Sequence, residues 1–154
     1  MSGFGQLRLT VWLLGVALAG PLAAQETTLL MRTGHPFETS MDILQQTLAE
    51  YGYKVAHVQR CDGGLADFGY QSDRYRVVFF GKVAEVRALS EAYPELVPYL
   101  PLKILLFAEK DETVAVALNP LELAQYFPAP RLQVQFRRWH SDLSAILEEL
   151  RQAP

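Results

Sequence analysis

The chain has 154 residues, a formal net charge of −3, and apolar residues at half of its positions. An apolar fraction this high excludes a disordered chain, and a single cysteine excludes an intrachain disulfide scaffold. The acidic balance argues against a nucleic-acid binder or a binder of anionic membranes, because both need a basic surface that neutralises phosphates. No complete catalytic constellation is present, so the sequence predicts a compartment and a fold rather than a reaction.

The first 24 residues have the pattern of a cleavable secretory signal peptide. Arg8 is their one charged residue, residues 9–19 are mostly apolar, and Pro21 and small residues precede a cleavage point after Ala24. An uncleaved membrane anchor is the alternative, but a span needs about 20 apolar residues and Pro21 ends this run early. We expect a periplasmic or secreted domain of residues 25–154 without a membrane anchor. Because Arg8 is removed with the signal peptide, the formal net charge is −3 for the whole chain and −4 for residues 25–154.

The first part of this domain alternates between strand and helix patterns. Residues 27–32 are β-compatible, and Pro36 suits the first turn of a helix. Apolar side chains at helical spacing predict that this helix covers residues 37–51 and that Gly52 ends it. Residues 53–58 alternate as a second strand.

The middle of the chain contains its least regular stretch. Residues 60–74 carry three glycines and three aspartates, which predicts a long loop. Residues 75–80 then form a nearly continuous apolar run, typical of a strand that is covered on both faces. A short helix is predicted over residues 83–93, where Pro94 stops it.

A hairpin is the clearest pattern in the second half of the domain. Residues 102–108 and 113–118 are apolar strands joined by a tight polar link. Asn119 is placed to cap a helix that opens at Pro120, with Glu122 reaching back in a capping-box-like arrangement. This part of the chain therefore predicts a strand pair followed directly by a capped helix.

The C-terminal segment combines an alternating pattern with a helical one. Leu132, Val134 and Phe136 alternate as a short strand, and an amphipathic helix follows from Trp139 to Leu150. The whole domain is predicted to have an α+β fold, with a mostly antiparallel sheet and helices packed on one face. Because residues 75–80 and 102–107 are so apolar, we expect a homodimer that buries the other sheet face.

The irregular loop is the candidate binding site of the chain. Binding groups often lie on loops held by a rigid scaffold, and tyrosines near the loop offer apolar rings with polar tips. The loop is not a phosphate loop, because no Lys-Ser or Lys-Thr pair follows its glycines. We predict that it contacts a small ligand or a periplasmic protein, without a cofactor or metal, through Cys61, Asp62, Asp67, Tyr70 and Asp73.

Cys61 also supports an alternative, a metal-binding or thiol-based redox accessory protein or enzyme. His57 lies four residues before it, and His140 would join the group if the fold brought it near. Cys61, His140 and Asp142 are likewise the residue types of a nucleophile, base and orienter. One thiol and one imidazole do not fill a tetrahedral metal site, however, so the non-enzymatic binding protein is the preferred interpretation.

Several segments resemble the family catalogued as domain of unknown function 302. They cover most of the exported domain and are residues 36–55, 75–82, 93–104 and 118–120. The resemblance implies a small, dimeric α+β domain of the TATA-box-binding-protein-like shape, with no established activity to carry over. It implies nothing about DNA binding in this acidic chain.

The resemblance also bears on the thiol hypothesis. The resemblance implies a pattern in which many relatives carry one cysteine near the end of the middle strand and another just after the proline that corresponds to Pro101. This chain has Gly81 and Lys82 at the first place and Leu102 at the second. A thiol or metal role of such relatives therefore does not transfer to this chain.

Overall fold

The computed structural model describes residues 26–61, 68–69 and 74–154, so the predicted signal peptide lies outside the described residues. The strands are β1 (Thr28–Thr33), β2 (Lys54–Arg60), β3 (Tyr75–Gly81), β4 (Leu102–Glu109) and β5 (Glu112–Leu118). The α-helices are α1 (Phe37–Glu50), α2 (Val83–Ala92) and α3 (Pro130–Gln152). Two 3₁₀ helices span Pro94–Tyr99 and Pro120–Gln125.

The five strands form one antiparallel sheet in the order β1-β5-β4-β3-β2. The predicted hairpin is confirmed as β4 and β5, where Glu109 pairs with Glu112. Helices pack on one side of this sheet, which confirms the α+β prediction. The arrangement follows from the strand pattern, because side chains of a strand point alternately to the two faces and only one face meets the helices.

The hydrophobic core lies between the sheet and the helices. Val78 and Ile104 point inward from β3 and β4 and are fully buried, as are Leu44 of α1 and Phe136 of α3. Helix α3 packs against α1 and β1 and so closes the helical layer. Burial of such side chains is worth about 1.5–3 kcal/mol each, which makes this layer the main source of stability.

Helix α1 confirms the helical prediction for residues 37–51. Its buried side chains include Phe37, Met41, Leu44 and Leu48, which share one face at the expected spacing. Gly52 follows with φ +76°, a left-handed conformation that glycine adopts without steric cost and that ends the helix.

The predicted short strand over Leu132, Val134 and Phe136 is wrong, because these residues belong to α3. Pro130 starts this helix, and Leu132 and Phe136 are buried while Val134 is 61% exposed. Residues four apart share a helix face, whereas all three would share one face of a strand. Three alternating apolar residues were too short a pattern to distinguish the two-residue period of a strand from the 3.6-residue period of a helix.

No helix among the described residues is both long and apolar enough to span a bilayer.

The predicted cap at Asn119 is confirmed, but the capping box is wrong. The Asn119 side chain accepts from the backbone N–H of Leu121 at 3.1 Å. The backbone N–H of Asn119 donates to Thr27 O instead of the Glu122 carboxylate, which accepts from Gln125. Pairing with the strand end therefore occupies the donor that a capping box would have used. The capped helix is a short 3₁₀ helix.

Candidate functional site

The sheet face that points away from the helices carries a row of apolar side chains. We call it the open face and define it by its apolar side chains: Leu30, Val77, Phe79, Leu105, Phe107, Val114 and Val116. Lys103, which pairs with Phe79, lies on the same side. The strand register aligns four of them in a single row across four strands, in the order Leu30, Val116, Leu105, Val77. Residues opposite each other in an antiparallel pair lie in side-chain contact, so the row forms a continuous apolar band.

Solvent reaches the open face. Leu30 is 57% exposed and Leu118, at the end of β5, is 41% exposed, whereas Val78 and Ile104 on the inner face are fully buried. The side chains of Val77 and Leu105 in the middle of the band are half-buried. Monomeric soluble proteins rarely leave a contiguous apolar surface of this kind uncovered.

One end of the open face is charged. Arg32 of β1 forms ion pairs with Glu109 and Glu112 at the turn of the hairpin. These carboxylates raise the pKa of Arg32, mainly through the hydrogen bond that Arg32 donates to Glu109. Next to them the rings of Tyr75 and Phe107 meet edge to face, with centroids 6.4 Å apart. The apolar band therefore has a polar rim at this end, as protein interfaces commonly do.

Cys61 lies directly after β2, close to this rim. Its backbone N–H donates to Tyr75 O at 3.1 Å, and its half-buried Sγ lies 4.0 Å from Gln59 O. The other members of the predicted loop site, Asp62, Asp67, Tyr70 and Asp73, lie outside the described residues. Their contact with a ligand or partner stays a prediction.

The structure does not bring Cys61, His57 and His140 together. His57 stacks on Phe79 on the open-face side of β2, four residues before Cys61, which is a separation of about 13 Å along an extended strand. His140 lies on α3, on the other side of the sheet, where its Nδ1 donates to Asn119 Oδ1 at 3.0 Å. Within the described part of the chain, no three His, Cys, Asp or Glu side chains are grouped as a metal site requires.

Asp142 also has a partner other than His140. It accepts a 2.6 Å hydrogen bond from the Tyr53 hydroxyl, and Lys82 Nζ lies 3.9 Å from it and 4.6 Å from the centre of the Tyr53 ring. Burial, together with the hydrogen bond to Asp142, raises the pKa of Tyr53. The phenol therefore keeps its proton and joins β2 to α3, which suits a structural role rather than that of a base.

A second polar pair lies beside this group and was not found from the sequence. Glu85 of α2 accepts from the indole N–H of Trp139 at 3.0 Å and forms an ion pair with Arg138. These residues are more than 50 positions apart along the chain, so no local motif could have indicated their contact. Leu30 and Val116 of the open face were missed for a different reason, since only the pairing of β1 with β5 places them side by side.

Comparison with known proteins gives a family and a fold. Residues 30–150 match the family described as "Domain of unknown function DUF302". A crystal structure of an uncharacterized conserved protein DUF302 from Bacillus stearothermophilus is similar with a TM-score of 0.73 and 16% sequence identity. The similarity covers 82% of this chain and 100% of that chain, and at this identity it shows the fold alone. A search of curated proteins finds no match.

Proposed function

Because this chain belongs to the DUF302 family, which has no assigned activity, we propose its function from its own surface: a non-enzymatic binding protein that acts as a homodimer. The observation that supports this proposal is the apolar band across the open face. Obligate dimer interfaces resemble a hydrophobic core cut in half, and the band has that composition.

A second copy of the chain is the partner that fits the band best. A twofold dimer requires a patch that is complementary to itself, and both copies would present the same row of Leu30, Val116, Leu105 and Val77. The row contains no charged side chain, so pairing of the two rows would place no like charges opposite each other. Packing of two such sheets face to face would bury the side chains that the single chain leaves exposed.

The dimer is tested by light scattering on the purified protein. We expect twice the mass of the chain, and we expect Leu30→Lys and Leu105→Lys to shift the mass toward the monomer, because a buried lysine would lack a partner. Leu30 is 57% exposed, so Leu30→Lys should fold even if Leu105→Lys does not.

Val134→Lys is the matched control, since Val134 is 61% exposed on the opposite side of the molecule. This variant should remain a dimer. A wild-type protein that stays monomeric at high concentration would contradict the proposed pairing, as would a folded Leu30→Lys dimer of unchanged affinity.

We also propose that the domain acts outside the cytoplasm after removal of its first 24 residues. The support is the apolar run of residues 9–19, with Pro21 and the small residues that lead to Ala24. Intact-mass measurement of protein from a periplasmic extract should give a chain that begins at Gln25. Ala24→Tyr should accumulate uncut protein, because the site before the cleaved bond accepts small side chains. Recovery of the wild-type chain from the cytoplasm with its first 24 residues intact would contradict the proposed export.

A further inference from the structure

A cavity of about 300 Å³ lies at one end of the sheet, between the two 3₁₀ helices. The first 3₁₀ helix precedes β4 and the second follows β5. The cavity therefore lies beside the start of β4 and the end of β5, which are neighbours in the sheet. Leu102, Leu123 and Leu143 form its buried walls, at 9%, 3% and 2% exposure. Tyr99 and Leu118, which are 37% and 41% exposed, lie at its rim.

One charged side chain, Lys103, lines this apolar cavity. Lys103 is exposed, and neither its ammonium group nor the Tyr99 hydroxyl has a hydrogen-bond or ion-pair partner among residues 26–61, 68–69 and 74–154. Arg32, Lys82, Arg138 and Arg151, by contrast, each lie within reach of a carboxylate. The cavity thus combines apolar walls with an uncompensated positive charge and a free hydroxyl.

We propose that this cavity binds a small amphipathic carboxylate, whose hydrocarbon body lies between the 3₁₀ helices and whose carboxylate pairs with Lys103. Ligand pockets are mostly apolar, with a few polar groups that orient the ligand, and about 300 Å³ is at the small end of their range. A ring with a short acidic chain fits that volume, while a long acyl chain does not. The assignment goes beyond the homodimer and does not rest on it.

The charge of Lys103 selects the ligand class. A carboxylate at the rim gains an ion pair with the ammonium and a hydrogen bond from the Tyr99 hydroxyl, whereas a neutral head gains only the hydrogen bond. Because Lys103 is exposed, this ion pair changes affinity by about two- to fivefold, as part-exposed pairs do. The apolar walls supply the remaining affinity, so the dissociation constant of a small probe is expected to be about 1 mM.

The test is an NMR titration of the purified protein with 4-phenylbutanoate and with its neutral amide, 4-phenylbutanamide. We expect saturable shifts of backbone amides confined to the two 3₁₀ helices and the adjoining ends of β4 and β5. The carboxylate should bind about two- to fivefold more tightly than the amide. Lys103→Gln should weaken the carboxylate to the level of the amide and leave binding of the amide unchanged.

Lys110→Gln is the matched control, because Lys110 is also an exposed lysine but lies at the opposite end of the same hairpin. It should bind both probes as the wild type does. Equal affinity for the two probes, unchanged carboxylate binding by Lys103→Gln, or shifts centred on the row of Leu30, Val116, Leu105 and Val77 would each overturn the proposal. Leu30→Lys distinguishes the failure of this proposal from the failure of the proposed dimer. This variant should be monomeric and should still bind 4-phenylbutanoate in the cavity.

Discussion

Replacing Phe136 by alanine should lower the free energy of unfolding by about 3–5 kcal/mol, close to the full stability of many domains. Phe136 is fully buried, and its ring lies between those of Phe127 and Trp139, with centroids 6.1 and 5.9 Å away. Alanine removes the ring and leaves a cavity that the neighbouring rings fill only in part. Urea unfolding followed by far-UV circular dichroism measures the loss.

Val134→Ala is the matched control in the same helix. Val134 is 61% exposed, so its truncation should change stability by no more than about 0.5 kcal/mol. The pair also distinguishes the helix from the strand that alternation had predicted, because a strand would place Val134 and Phe136 on one face. Similar losses for the two variants would contradict the helical assignment of this segment.

Above about pH 10 the wild-type protein should lose stability more steeply than Tyr53→Phe. Burial of the Tyr53 ring, with its hydrogen bond to Asp142, raises the pKa of the phenol in the folded state. In the unfolded chain a tyrosine ionises near pH 10. The unfolded state therefore releases this proton first, and the contribution of Tyr53 to stability is complete below about pH 10 and declines as the pH rises.

Because Tyr53 releases a single proton, its effect on the free energy of unfolding has an upper limit for each pH unit. Each pH unit above about 10 costs the wild type up to about 1.4 kcal/mol through Tyr53. The charged neighbours Asp142, Glu85, Lys82 and Arg138 are present in both proteins, so their own effects largely cancel in the comparison. Near neutral pH, Tyr53→Phe itself should cost about 1–2 kcal/mol, because the phenol no longer donates to Asp142.

Urea midpoints recorded between about pH 8 and pH 11 test this prediction. Tyr126→Phe is the matched control, because Tyr126 is 67% exposed, and its curve should follow that of the wild type. The stabilities of wild type and Tyr53→Phe should converge as the pH rises. Parallel curves over the whole range would show that the phenol is not held protonated by the fold.

Local patterns were sufficient for most of the elements. The hairpin of β4 and β5 was predicted because two apolar strands flank a short polar link, and α1 because its apolar residues recur at helical spacing before Gly52. Both signals come from neighbours along the chain. The start of α3 was missed because Leu132, Val134 and Phe136 fit two periods, and only packing against α1 and β1 shows which side chains are buried.

The candidate site depended much more on long-range contacts. Composition singled out the loop that begins at Cys61, yet the described residues include only Cys61 of its five proposed contact residues. The sequence could not decide whether Cys61, His57 and His140 meet in space. In the structure the sheet separates His140 from the other two residues. The cavity at Lys103 joins two 3₁₀ helices and α3, and no local spacing describes such a junction.

Apart from the segment over Leu132, Val134 and Phe136, the sequence by itself determined the order of strands and helices and the apolar character of β3 and β4, because alternation and helical spacing are properties of neighbouring residues. Only the tertiary structure decided which face of the sheet the helices cover. Both faces of β3 and β4 are apolar, so their pattern is the same whichever face becomes the core. The band of Leu30, Val116, Leu105 and Val77 exists only because antiparallel pairing aligns four distant segments.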